Sequence, residues 1–501
     1  MEKSSAPSSD QEAHSSTPDV EKQIKQPEPS SNHDNYLVAW DKDDPENPKN
    51  FSSGYKLWMT TQMALLAFVG SFGASVISPA EATLAAEFNV SNEVTVLVLS
   101  LFVLGYAFGP MLWGPLGEVY GRKVSMLPAV FILGLFSIGT ATSKTMAAIL
   151  VTRFFGGLFA SAPVSNVSAA IGDFYDPKER GVPMAFMAAC VVGGPCIAPV
   201  VGSAIVVNPH MGWRWTEYIQ AIITFFVTAV TVIGLPETYH PVLLKRKAQR
   251  LRKETGNDQY WHPHENERIK PKNVVTKYIS RPLRMLLTEP IVTAIALYAS
   301  FVYGLLFFQL ESFPVVFYQN RHYSLVVSTL PFLGLLVGVL CALTINFANQ
   351  PLYAKAVAKN KGRAVPEARL PPMLVGGIFF SAGMFWFGWT AAPKYSWALP
   401  TVAAGFIGAG FNITFQQCLN FLVDSYGPFA ASAMAGNTFL RSLLACGLPL
   451  AARPLFLNLG VGPGCSLLAG LSCLALPMPL VFMKYGRKLR KMSKFAQSLE
   501  D

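Results

Sequence analysis

From Leu57 to Ala80 the chain runs without one charged side chain. A helix needs about 20 mostly apolar residues to cross hydrocarbon, and a lipid core tolerates only backbone whose polar groups are satisfied internally. Eleven further apolar runs follow, at roughly 94–116, 124–143, 146–171, 183–207, 216–236, 288–318, 325–348, 371–392, 396–422, 430–457 and 462–483. The expected fold is therefore an all-α membrane protein of twelve transmembrane helices in two six-helix halves. The expected boundaries are a structureless cytoplasmic tail over 1–54 and an N-terminal half over 55–236. A polar linker over 237–287, a C-terminal half over 288–483 and a basic tail over 484–501 complete the division. Residues 1 to about 50 are rich in Ser, Pro, Asp, Glu and Lys and carry no apolar segment of signal-peptide type.

Charge agrees with lipid as the solvent. Charged residues are 14% of the chain, against about 25% in soluble domains. The net charge of +10 is carried by loops between apolar runs, which favours membrane orientation over nucleic-acid binding. Arg122 and Lys123 follow the second run, and Lys178 and Arg180 follow the fourth. Lys245, Arg246, Lys247, Arg250, Arg252 and Lys253 crowd the linker, and Lys355, Lys359, Lys361 and Arg363 follow the eighth run. The alternate loops are nearly bare, so both termini are expected in the cytoplasm. The Asn89-Val90-Ser91 sequon then falls outside, too near the membrane for glycosylation to be expected. The seven cysteines lie in apolar stretches without metal-ligand or disulfide spacing, so no metal and no cofactor are expected.

Three segments carry more than apolar packing. Gly114-Pro-Leu-Gly117-Glu118-Val-Tyr-Gly121-Arg122-Lys123 follows the second run. It resembles the signature Gly-x-Leu-Ala-Asp-Arg-x-Gly-Arg-Arg/Lys of the major facilitator superfamily, with Glu118 and Val119 in place of Asp and Arg. Arg153-Phe-Phe-Gly156-Gly157 in the fourth run resembles the family's Arg-x-x-x-Gly motif. Gly193-Gly194-Pro195-Cys-Ile-Ala-Pro199-Val-Val-Gly202-Ser203 in the fifth is similar to the Gly-Pro-x-x-Gly-Gly core that marks proton-driven antiporters. Gly212-Trp213-Arg214-Trp215, Glu311-Ser312-Phe313-Pro314, Pro366-Glu367-Ala368-Arg369-Leu370 and Asn437-Thr-Phe-Leu-Arg441 narrow the resemblance. They point to the fungal drug:proton antiporter branch, whose members export drugs, polyamines and secondary metabolites. The resemblance covers about residues 55–490.

The resemblance implies a secondary transporter exporting a small organic molecule in exchange for protons, by alternating access of a midplane site. It gives Gly114, Gly117, Glu118, Gly121, Arg122 and Lys123 the role of a conformational latch. Gly194, Pro195, Pro199 and Gly202 would make a bent, tightly packed helix at the interface between the halves that limits leakage, and Arg153 would serve proton coupling unless it snorkels to the headgroups. Intramembrane ionisable residues add candidates of their own. Glu311 is the leading proton carrier, unless it faces water at the outer end of its span. Arg441 could bind an anionic group or pair with an acid. Gln309, Asn166, Gln416 and Asn420, with Asn346 and Gln417, could line a cavity or join helices. The expected cargo is a neutral or weakly charged aromatic metabolite. The expected partners are that molecule, protons and the bilayer, with no nucleic acid and with a monomer as the working unit. Plasma membrane is the expected site, with vacuolar or vesicular membrane as alternatives. A nutrient importer, such as a polyamine or sugar carrier, and a non-transporting sensor are the rivals. No catalytic cluster, nucleophile elbow or ATP-binding loop points to an enzyme.

Overall fold

The computed structural model describes residues 36–176, 179, 181–267, 276, 279–360, 365–493 and 495–496. Lys178, Arg180, Lys361, Arg363, residues 1–35 and the end of the basic tail lie outside the described residues.

Among the described residues, twelve helices are long and apolar enough to cross a membrane. The first six are Ser53–Phe88, Asn92–Val119, Arg122–Thr142, Met146–Phe174, Gly181–Val207 and Arg214–Gly234. The second six are Pro290–Asn320, Leu325–Lys359, Pro366–Thr390, Ala398–Tyr426, Ala430–Leu459 and Val461–Met492. They are numbered below as spans one to twelve. Most extend beyond the apolar runs, because polar caps and interfacial turns continue the helix past the hydrocarbon-like segment. Ser52 and Thr145 accept from the backbone N–H of Tyr55 and Ala148, capping spans one and four. Span one breaks over Val76–Ala80 and resumes at Glu81, so its charged end belongs to the span.

The packing repeats. In the first half, span one packs on five, two on four, and three on both four and six. In the second half, seven packs on eleven, eight on ten, and nine on both ten and twelve. Each contact recurs six spans later. The halves meet through two matching seams, span two against eleven and span five against eight. Large apolar side chains such as Ile233, Leu457 and Leu474 point outward, as lipid-facing positions require.

The expectation of a structureless N-terminal tail needs correction for its second part. Residues 36–52 are docked on the linker, whose helix His240–Thr255 supplies the partners. Trp40 Nε1 donates to His240 Nδ1 at 2.9 Å, Lys247 Nζ meets Asp44 at 2.5 Å, and Arg250 grips Glu46 through two 2.6 Å bonds. Val38 and Tyr36 pair with Trp261 through the backbone. Composition alone counts the acidic residues as solvated, whereas here they are matched to a basic helix.

This clasp has a pH dependence. Burial pulls the His240 imidazole below its usual 6.5, and Lys247 holds Asp44 below its usual 3.8. Both groups are depressed in the fold, so each contributes stability that is fully present above its unfolded value and is lost on acidification. Neutral His240 accepts from Trp40; protonated His240 cannot. The clasp is expected to resist trypsin above pH 6.5 and to be cut increasingly fast below it. Trp40→Phe, which has no indole donor, should be cut readily and with a flatter profile over that range.

Candidate substrate and proton pathway

The segment 114–123 is less loop than expected. Gly114 to Val119 finish span two, Arg122 opens span three, and only Tyr120 and Gly121 turn between them. Gly121 has φ +104°, a region that favours glycine, and a Cβ there would sit 2.3 Å from Glu237. The Glu237 carboxylate accepts from the backbone N–H groups of Arg122 and Lys123 at 2.8 and 3.2 Å, capping span three. Arg122 reaches Asp173 at 3.2 Å and lies 4.7 Å above the Tyr239 ring. Lys123 donates to the Val232 carbonyl. Gly117 lets Asn166 approach, since a Cβ would stand 2.4 Å from Asn166 Oδ1. Gly114 has open space around it and serves no close approach.

Span five carries the second seam. A Cβ on Gly194 would meet Ser71 Oγ at 2.3 Å, and one on Gly202 would meet the Val76 carbonyl at 2.0 Å. Pro195 and Pro199 lie inside this helix, where they remove two backbone donors. The glycine face is thus pressed on span one of the same half. On the side facing the other half, Ser203 hydrogen-bonds Thr329 at 2.9 Å.

Arg153 is 2% exposed, which excludes snorkelling. Its Nε donates to the Val98 carbonyl at 3.1 Å, Nη2 to Ala74 at 2.8 Å, and Nη1 to Gly73 and to Glu217 at 2.8 and 3.0 Å. It lies 4.2 Å over the Phe102 ring. Spans one, two, four and six are tied at one point, with few donors left for a ligand.

Glu311 is buried rather than water-facing. Its carboxyl group meets that of Glu81 across the two halves, within hydrogen-bonding reach, and Arg453 is the nearby cation. Two carboxylates are acceptors only, so a hydrogen bond between them requires a shared proton.

Arg441 is buried beneath two rings, 4.5 Å from Tyr303 and 5.2 Å from Phe415. The acid partner that one sequence reading allowed is absent among the described residues. The amide candidates divide. Asn166 is no cavity group: it bonds the Trp113 and Ala162 carbonyls and receives Arg122 at 3.5 Å, joining the latch. Gln309 is fully buried and donates to Met384 Sδ at 3.3 Å, inside the second half. Gln417 donates to Asn346 and Asn346 to Asn412, joining spans eight and ten. Gln416 and Asn420, one turn apart on span ten, are half-buried and remain available to a cavity.

Sequence reasoning missed Glu81, Asp173, Glu217 and Glu237. Glu81 directly follows the uncharged run and reads as its boundary. Glu217 lies in the first turn of span six, and its pairing with Arg153 is tertiary.

A Major Facilitator Superfamily sequence profile matches residues 63–449. The chain is 39% identical over 470 residues to the Candida albicans major facilitator superfamily multidrug transporter FLU1, covering 93% of this chain and 77% of that one. It is 41% identical over 455 residues to the efflux pump bik6 of Gibberella fujikuroi, covering 91% and 93%. Its fold is similar to the inward-open form of the xylose transporter XylE of E. coli, with TM-score 0.61 and 15% identity over 85% of this chain and 96% of that one.

Proposed function

The chain belongs to the major facilitator superfamily and is a multi-pass membrane transporter, and from that premise we propose that it exports a small organic molecule in exchange for protons. The observation that carries this reading is the Glu81–Glu311 carboxyl pair. It joins span one of one half to span seven of the other, on the side opposite the basic loops. With one proton shared, the two halves are held together there. With the proton lost, two like charges in low dielectric repel and the contact opens. A proton that binds the two arrangements differently is all that coupling requires.

The rest of the architecture fits this cycle. The latch at Gly121, Arg122, Asp173 and Glu237 fastens spans two, three and four to the chain leaving span six, on the basic side. The span one–five seam keeps the first half rigid while the halves rock against each other. The basic loops favour a cytoplasmic location for both termini and the N-terminal clasp, and the reading takes the carrier as a monomer of the plasma membrane. The relatives described as a multidrug transporter and an efflux pump favour outward transport over nutrient uptake.

Reconstituted liposomes test the reading. With an acidic lumen, exchange predicts that a planar dye, either rhodamine or fluorescein, accumulates inside beyond protein-free liposomes. Proton symport predicts accumulation only with the gradient reversed, and that result would replace export by uptake.

A further inference from the structure

Buried or largely buried arginines among the described residues come with carboxylates. Arg153 pairs with Glu217 at 3.0 Å, Arg122 with Asp173 at 3.2 Å, Arg369 with Asp424 at 3.0 Å and Arg490 with Glu367 at 2.6 Å. Arg441 departs from that pattern. It is 7% exposed, and its Nε has no hydrogen-bond partner among the described residues. Among the described residues, the ionisable groups acting on it are two tyrosines, Tyr303 and Tyr106, and neither is an anion near neutral pH. A buried guanidinium without a counter-charge is costly, and such a charge inside a membrane protein marks a functional position.

Its surroundings say what would satisfy it. Arg441 lies on span eleven, which packs across the halves on span two, the helix that carries Tyr106. The Tyr106 hydroxyl is buried and also lacks a partner among the described residues. Beside the guanidinium, Tyr303 stacks on Phe415 at 5.6 Å, and Phe415 stacks on Phe411 at 5.5 Å with planes 13° apart. The half-buried Gln416 follows Phe415 on span ten. One flat aromatic wall and one unneutralised planar cation therefore share a position between the halves. A planar guanidinium matches an acid group bidentately and stacks on rings, which an ammonium does not.

We propose that Arg441 anchors a negatively charged, planar conjugated substrate, whose acid group takes the unpaired guanidinium donors while its ring system lies along Tyr303, Phe411 and Phe415. This rests on the exchange reading above only in placing the cargo between the halves. It replaces the neutral or weakly charged aromatic cargo expected from sequence by an organic acid.

The test compares two probes of one shape, anthracenecarboxylate and anthracenemethanol. Each is titrated by fluorescence into the purified full-length protein in detergent. The wild type is expected to bind the carboxylate about tenfold or more tightly than the alcohol, the scale of one charge-assisted hydrogen bond. Arg441→Gln should bring the two within about twofold of each other. Arg441→Lys, which keeps the charge, should retain part of the preference and covers the case in which the Gln variant does not fold. Equal affinities in the wild type, or a preference that survives in Arg441→Gln, overturns the proposal. Failure here is separable from failure of exchange. Gradient-driven rhodamine movement without a carboxylate preference sinks only the anion site. A carboxylate preference without any gradient-driven movement sinks only proton exchange.

Discussion

Glu311→Gln is expected to abolish dye accumulation in acid-loaded liposomes while leaving the protein folded and abundant. Glutamine has the shape of a protonated carboxyl and can keep a hydrogen bond to Glu81, so the contact between spans one and seven persists. What is lost is the group that releases a proton. The carrier is then fixed in the paired arrangement, or equilibrates dye without a gradient; neither concentrates it. Glu81→Gln should give the same defect, because the proton belongs to the pair and not to one residue. Accumulation at the wild-type level in either variant would remove that residue from the coupling scheme.

Arg153→Ala is expected to act on the fold before it acts on transport. The substitution strips the donor from three carbonyls on two spans and leaves Glu217, fully buried, without its cation. Breaking one side of a buried pair costs about 3–5 kcal/mol, a large part of the roughly 5–15 kcal/mol that holds a domain together. Abundance in detergent, read by size-exclusion chromatography, should fall several-fold, with aggregated material replacing the main peak. Arg153→Lys should recover little, since one ammonium cannot reach all four acceptors. A monodisperse, fully abundant Arg153→Ala protein that no longer transports would instead make Arg153 a coupling residue.

Much of this architecture was legible in the sequence, for a physical reason. A lipid core admits only long uncharged helices, so twelve apolar runs interrupted by a polar linker leave little freedom in fold. Three of the signature glycines were legible too, because the constraint on each is steric and local, whereas Gly114 stands in open space. Gly121 needs a positive φ, and Gly194 and Gly202 need a missing Cβ. What stayed hidden is what only tertiary contact decides. Arg153 reads equally as a coupling charge or as an interfacial one until Glu217 and three carbonyls surround it. Glu311 reads as a lone acid because its partner, Glu81, lies 230 positions earlier, just past an apolar run that seemed complete. Arg441 is the converse case. Its sequence context allowed an acid partner, and only the packing of spans two, seven, ten and eleven leaves its charge without one. The N-terminal clasp was missed because polar composition predicts solvation and is silent about a complementary basic helix nearby.

The central claim is that dye and proton cross in opposite directions, and the most direct test is to record luminal pH while dye moves down its own gradient. Liposomes with no initial pH difference are loaded with fluorescein and diluted into dye-free buffer. Exchange predicts that the lumen acidifies as dye leaves, in the wild type and not in Glu311→Gln. A lumen that turns alkaline as dye leaves, or a pH that does not change, would contradict it.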